Sequence, residues 1–373
     1  MKFLHVADLH IGKKLKGYSL LEDQKFVLNQ IIQTALEKKV DGVLIAGDVY
    51  DTSIPNIDAV NLFDKFLSDL VLNDINAYIV SGNHDNIHRI TFGSNIMSKA
   101  GIHFAKKYDG ELKPLKLSDN VNIWLLPFIR PMDIREFHPD FQTSNYNEMM
   151  KVVIENAKID ETQINVLVAH QFVTCGSQTP ERSESETCSL GTMDNVDVRN
   201  FDKFDYVALG HIHKSQAMGR NEVRYAGSPL KYSFSELNQK KQMVILNVQD
   251  KKVDLEFIDF KFLNELKEFV GTFEKLSQQK PTDAYVRLVV QDDYILDIKH
   301  KLESVFKNIM EIEFDNETTR ENNSLTYSED MENLSLFELF KDFYQQQNNK
   351  IMTDEQLKIV QEIFEEMDME VNA

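Results

Sequence analysis

The sequence predicts an α/β fold whose strand ends meet along one edge, and two observations carry that prediction. Apolar, β-branched runs alternate with amphipathic stretches up to about Phe260. Five of the runs stop at a polar, ligand-type segment: Asp8-Leu9-His10, Gly47-Asp48, Gly82-Asn83-His84-Asp85, His170 and Gly210-His211-Ile212-His213. Open α/β sheets hold their ligands at the carboxyl ends of strands, so one shared edge accounts for all five.

The elements follow in order. Residues 3–7 form a first strand leading into Asp8. Residues 22–39 read as a helix, with Phe26, Ile31 and Leu36 among its apolar positions. The run 43–46 leads to Asp48, and 56–72 is a second helix. The runs 78–80, 166–169 and 206–209 lead to Asn83, His170 and His211. Residues 243–248 and 253–258 turn β-rich. From Phe262 to about Asn316 a small α/β unit is expected, with a strand at 284–290 and a helix at 295–306. Residues 317–333 are polar and read as a linker. Two short helices close the chain. One has a capping box at Ser335 and Glu338 and an apolar stripe of Leu336, Phe337, Phe340, Phe343 and Tyr344. The other starts at Thr353 and Gln356 and carries Leu357, Val360, Ile363, Phe364 and Met367. No internal repeat is evident.

The side chains at the strand ends form a mixed nitrogen and oxygen donor set without thiolate, which suits Mn²⁺, Fe²⁺ or Zn²⁺. In extended chain the Asp8/His10 and His211/His213 pairs, two residues apart, point the same way, while the neighbours Asn83 and His84 diverge. Asp48 is the natural bridge, because a carboxylate can hold two cations roughly 3.5–4 Å apart. Asp8, His10 and His213 complete one site and Asn83, His170 and His211 the other. Such a pair makes water nucleophilic near neutral pH and supports hydrolysis of phosphate esters. Taken singly, each pair reads as solvated polar residues or core histidines, and Gly-Asn-His makes an ordinary turn. The ordered set does not.

The motifs DLHIG, GDVYDT, SGNHD, ALGHIH and VRYAGSP resemble the calcineurin-like metallophosphoesterase superfamily and, within it, the SbcD family of bacterial nuclease subunits, over nearly the whole chain. The resemblance implies a two-sheet sandwich flanked by helices at 1–260, with the β-rich 243–248 and 253–258 in its second sheet, a DNA-capping domain at 261–316 and a helical hairpin at 334–373. It implies a Mn²⁺-dependent DNA nuclease with double-strand exonuclease and single-strand or hairpin endonuclease activity. Such an enzyme works as a homodimer with the SbcC ATPase in DNA repair, recombination and replication. Asp8, His10, Asp48, Asn83, His170, His211 and His213 stand at ligand positions. His84 stands where the family's histidine protonates the leaving group or steadies the transition state. Asp85 either orients His84 or caps the turn. Asp51 stands where some relatives carry histidine, and either guides the strand or begins a turn. The hairpin would dock on the SbcC coiled coil, with Phe340 and Phe364 as aromatic anchors.

Composition bounds the rest. No apolar run is long enough to span a membrane, and His5 and Asp8 interrupt any N-terminal signal sequence, so a cytoplasmic location is expected. Cys175 and Cys188 read as a reduced pair without structural duty. A net charge of −19 argues against a free-standing DNA binder. From Lys301 onward, however, 18 acidic and 6 basic residues account for −12, leaving −7 on the first 300. Basic clusters at Lys13, Lys14 and Lys16, His88 and Arg89, Lys106 and Lys107, Lys214 and Arg220, and Arg224 and Lys231 flank the motifs and could grip phosphates. Two other functions share the fold: a stand-alone phosphodiesterase for nucleotides or small esters, and a metal-free scaffold. The scaffold has no use for a cluster of like charges, and the small-ester enzyme none for a capping domain and hairpin.

Overall fold

In this computed structural model the residues described are 1–186, 194–316, 337, 340, 341, 343–345 and 351–371. The expected linker at 317–333, the capping box at Ser335 and Glu338, and Cys188 lie outside them.

In chain order the main strands of the first unit are β1 (Lys2–Val6), β2 (Gly42–Ala46), β3 (Asn76–Val80), β4 (Ile102–Phe104), β5 (Pro114–Ser118), β6 (Val121–Leu126), β7 (Ile164–His170), β8 (Tyr206–Gly210), β9 (Gln216–Met218), β10 (Arg220–Tyr225), β11 (Gln242–Gln249) and β12 (Lys252–Asp259). They form two six-stranded sheets, β12-β11-β1-β2-β3-β4 and β9-β10-β8-β7-β6-β5. β1 to β4 run parallel, as do β6, β7, β8 and β10, while β11, β12, β5 and β9 join antiparallel at the flanks.

The period-two alternation of the strands builds the layers. Phe3, Leu44, Ala46 and Tyr78 from one sheet meet Ile123, Val166, Val168 and Ala208 from the other between the sheets. The intervening residues Trp124, Leu126, Leu167, Ala169, Val207 and Leu209 face the opposite side, against Met149, Met150, Val153 and Ile154 of the helix Tyr146–Asn156. Both faces are covered, which is why the central strands read as unbroken Val, Ile and Leu runs.

The earlier helices are α1 (Leu21–Lys38) and α2 (Ile57–Leu72); Asn56 caps α2, its side chain accepting from Ala59 N–H at 2.8 Å. The apolar stripe of α1 differs from expectation. Leu36 is 40% exposed, and the buried face runs through Asp23, Gln24, Val27, Leu28, Ile31, Ile32 and Ala35. Gln24 is drawn inward because its amide donates to His10 O at 2.6 Å.

Two further expectations are corrected. The β-rich stretch at 243–258 belongs to the first sheet, where β11 pairs antiparallel with β1; the second sheet is built from the middle of the chain. The helix expected at 295–306 is only Ile298–Leu302. Asp297 holds a left-handed φ of 54° before it, and Phe306 already begins a strand that pairs parallel with Thr282–Val290.

The chain divides into two compact units, Met1–Leu266 and Lys267–Ala373. The segment after Phe260 is tied to α1: Lys261 N–H donates to Gln30 Oε1 and Asn264 N–H to Asp23 Oδ1. In the second unit, strands Thr282–Val290 and Phe306–Phe314 enclose a core of Ala284, Val286, Leu288, Leu302, Phe306 and Ile309. Its final helix spans Asp354–Val371, where Phe364 meets Phe337 at 6.2 Å and Phe340 at 5.8 Å between ring centroids. Among the described residues no helix is long and apolar enough to cross a membrane.

Candidate metal centre

Asp8, Asp48 and the Gly82–Asp85 turn follow β1, β2 and β3 of one sheet; His170 ends β7, and His211 follows β8, of the other. The five segments meet at one end of the sandwich. The reason differs from the extended-chain argument for paired side chains. Asp8, His10, Asp48 and His211 have φ of 53°, 43°, 47° and 100°, so these segments are turns in the left-handed region. The turns are stitched together: Asp8 N–H donates to Gly47 O at 3.1 Å and His10 N–H to Asp48 O at 2.9 Å. Glycine is required where strands close in. A Cβ on Gly82 would stand 2.1 Å from Asp48 Oδ1, and one on Gly210 only 1.7 Å from Ala46 O.

Among the described residues three groups lie within reach of a common ion: Asp8, His10 and His213; His10, Asp48 and His84; and Asp8, Asp48 and His170. Asp48 Oδ2 is 3.3 Å from His170 Nε2 and 3.7 Å from His10 Nε2, touching both halves of the cluster. Asn83 Oδ1 stands 3.0 Å from His170 Nε2 and 2.9 Å from His211 Nδ1. His84 and Asn83 diverge: His84 N–H donates to Asp48 Oδ1 at 2.9 Å, and its Nδ1 to Asp51 O at 2.8 Å. Asp85 accepts from Val49, Tyr50 and Gly82 N–H at 2.9–3.0 Å, binding the turns after β2 and β3 together. Asp51 sits 3.4 Å from His10 Nδ1 and accepts from Lys13 Nζ at 2.7 Å.

The donor set fits divalent cations. His170 Nδ1 donates to Ala46 O at 2.9 Å, which leaves its Nε2 lone pair facing Asn83 and Asp48 oxygens that also carry lone pairs. His213 Nδ1 donates to Ser185 Oγ at 2.8 Å, and His10 Nδ1 lies 3.4 Å from Asp51 Oδ1. The two Nε2 atoms of His10 and His213 then face each other at 3.1 Å. Asp8 Oδ2 is buried with no hydrogen-bond partner. Lone pairs crowded this closely call for a cation between them.

Protonation follows the same logic. Burial alone would lower His170, but the Asp48 and Asp8 carboxylates raise it to about 9. Burial opposes ionisation of Asp48, yet His170 and His10 hold its carboxyl well below the usual range. Burial raises Asp8 well above that range, and lowers His211 to about 3 and His213 to about 4.

Sequence reasoning missed the support behind His213. Ser185 Oγ donates to Glu236 Oε1 at 2.5 Å while accepting from His213, and Glu236 Oε2 in turn accepts from Lys241 Nζ at 2.5 Å. Glu236 and Lys241 are both buried. His213 N–H donates to Glu186 Oε1 at 2.8 Å. Nothing in the polar stretch around Glu236 separates these residues from solvated surface. Ser185→Ala is expected to weaken cation affinity about 10- to 100-fold through loss of His213 orientation. Competition with a chelator would measure this, and unchanged affinity would show that Ser185 does not orient His213.

The basic clusters divide into committed and exposed members. Arg224 is buried, its guanidinium 4.4 Å over the Phe257 ring, so it cannot grip phosphate. Lys231 pairs with Glu265 at 2.7 Å and Lys214 with Glu181. Lys14, Lys16, His88, Arg89, Lys106 and Lys107 are exposed. Cys175 is a free thiol.

A family model described as calcineurin-like phosphoesterase matches residues 1–215, and one described as Type 5 capsule protein repressor C-terminal domain matches residues 253–348. The SbcD component of the SbcCD nuclease of Staphylococcus epidermidis is 32% identical over 320 residues, covering 83% of this chain and 84% of the relative. That of Staphylococcus saprophyticus is 35% identical over 284 residues, covering 75% and 74%.

Proposed function

Because the chain belongs to the calcineurin-like phosphoesterase family, and within it to the SbcD group, we propose that it is a DNA nuclease that hydrolyses phosphodiester bonds with two divalent cations, Mn²⁺ first among them. The observation that carries this reading is the crowding of histidine and carboxylate lone pairs around Asp48 and the orphaned Asp8 oxygen. Asp8, His10, Asp48 and His213 would hold one cation, and Asp48, Asn83, His170 and His211 the other. When bound, such a pair stabilises charge on the phosphate and makes water nucleophilic near neutral pH. His84, half-buried beside Asp48, reaches the leaving oxygen of a bound ester and protonates it or steadies its charge.

The acidic, internally paired surface supports a division of labour in which a partner supplies most of the DNA affinity. We assign that role to the SbcC ATPase, acting in the cytoplasm with the nuclease as an exonuclease on duplex ends and an endonuclease on single strands and hairpins. Exposed Ile57, Val60, Phe92 and Ile96 supply apolar surface for pairing two copies of the chain. The test is cleavage of labelled DNA by the purified chain with Mn²⁺, with and without SbcC and ATP. Turnover of nucleotide-sized esters without DNA cleavage would favour a small-ester phosphodiesterase instead.

The tail gives a separable prediction. Phe340 and Phe364 pack on each other and keep part of their surface open beside the exposed Phe343, Ile359 and Ile363, so the face they share is offered to a partner. Truncation after Asn333 is expected to leave a folded, metal-loaded nuclease that no longer associates with SbcC. Alanine at Phe340 or Phe364 should each cost about 2–4 kcal/mol of binding. Co-purification of the truncated chain at normal affinity would remove the hairpin as the main contact.

A further inference from the structure

Beside the candidate metal centre a cavity of ≈ 220 Å³ opens, with Asn83 and His211 in its lining. Three aromatic side chains, Phe128, Tyr146 and Phe172, line it. Two of them pack against the histidines: the Phe128 ring lies edge-on to His170 at 6.2 Å and the Phe172 ring edge-on to His211 at 6.2 Å. Guanidinium groups sit over two of the rings, Arg130 at 5.9 Å from Phe128 and Arg182 at 5.5 Å from Phe172. Phe128 and Tyr146 are half-buried and Arg130 is exposed, so the cavity is reached from solvent.

The polar Arg130, Gln171 and Asp194 share the lining, yet a site that only gripped a phosphate would need cationic and hydrogen-bonding groups and no row of three aromatic residues beside them. Aromatic rings with guanidinium groups close by match an unstacked nucleobase, on which such rings stack whatever its identity. The same arginines carry positive charge to the phosphates on either side. We propose that this cavity seats the unstacked base of the nucleotide adjoining the scissile phosphate, so that cleavage requires one nucleotide to leave the helical stack. The inference rests on the nuclease reading above and narrows its substrate to single strands and to duplex positions that fray or bulge. Because stacking tolerates every base, the site selects for flexibility of the strand and not for sequence.

The experiment uses the full chain with Mn²⁺ and single-stranded oligonucleotides in which one abasic residue is moved along the strand, with cut positions mapped on sequencing gels. For the parent enzyme, an abasic residue is expected to suppress the cut at the phosphate on one side of it by about 5- to 150-fold, the range for loss of a stacked base. The Phe128→Leu/Tyr146→Leu variant is expected to lose a similar factor on intact strands, lose little more on the abasic one, and keep its metal content. Equal cleavage of intact and abasic strands by an active parent overturns the base pocket while leaving the nuclease reading standing. Equal losses by the variant on both strands also overturn it, because the rings then serve only the scaffold. A parent that binds Mn²⁺ and cuts no DNA either alone or with SbcC and ATP overturns the nuclease reading, and the base pocket with it.

Discussion

Asp48→Ala is expected to abolish phosphodiester hydrolysis and to strip cations from both halves of the centre, whereas Asn83→Ala should weaken chiefly one. Asp48 Oδ2 is the oxygen that approaches both His170 Nε2, at 3.3 Å, and His10 Nε2, at 3.7 Å. The loss combines a bridging ligand with the several kcal/mol of transition-state charge stabilisation that a cation pair supplies. Asp48 Oδ1 also accepts from His84 N–H, so a companion Asp48→Asn variant retains that acceptor and separates loss of charge from loss of turn geometry. Metal analysis of the dialysed variants provides the readout. Two ions bound with normal affinity in Asp48→Ala would end the bridging assignment.

His84→Gln should behave differently, retaining both cations and DNA binding while turnover falls by about 10²–10⁴-fold, the usual worth of a positioned acid–base group. Proximity alone does not separate His84 from the ligands, since it shares a group with His10 and Asp48 and its ring lies 4.8 Å from that of His10. Its hydrogen bonding does. Nδ1 is engaged with Asp51 O, which fixes the ring and leaves Nε2 to act. Single-turnover rates and metal content measured on the same preparation decide the matter. Metal loss would move His84 into the coordination set, and unchanged turnover would remove it from the chemistry.

The central strands were legible because both of their faces are buried, so each reads as a continuous apolar run ending at Asp8, Asp48, Asn83, His170 or His211. Strand partnership was not legible. A run such as Gln242–Gln249 carries no mark of whether it joins β1 or the other sheet, because pairing is decided by contacts distant in sequence. The turn geometry was missed as well: spacing of two suggested extended chain, while left-handed φ at Asp8 and His10, held by backbone hydrogen bonds to Gly47 and Asp48, breaks it. Ser185, Glu236 and Lys241 escaped notice for a related reason, since a buried ion pair and an exposed one have the same composition. Leu36 failed in the opposite sense: its place inside a helix pattern did not reveal that Gln24, tied to His10, rotates the buried face away from it.

The left-handed backbone at Asp8, His10, Asp48 and His211 bears on how the protein would respond to selection for robustness. Non-glycine residues held in that region cost about 1–3 kcal/mol each, a large share of the roughly 5–15 kcal/mol that keeps a typical domain folded. Glycine would relieve that cost at every one of the four positions, and would delete a donor each time. A screen for heat resistance run without divalent cations would therefore enrich for glycine at the very residues that the chemistry needs. Including the cation in the screen reverses the pressure, because a ligand bound only by the native state adds stability that the glycine variants cannot recover.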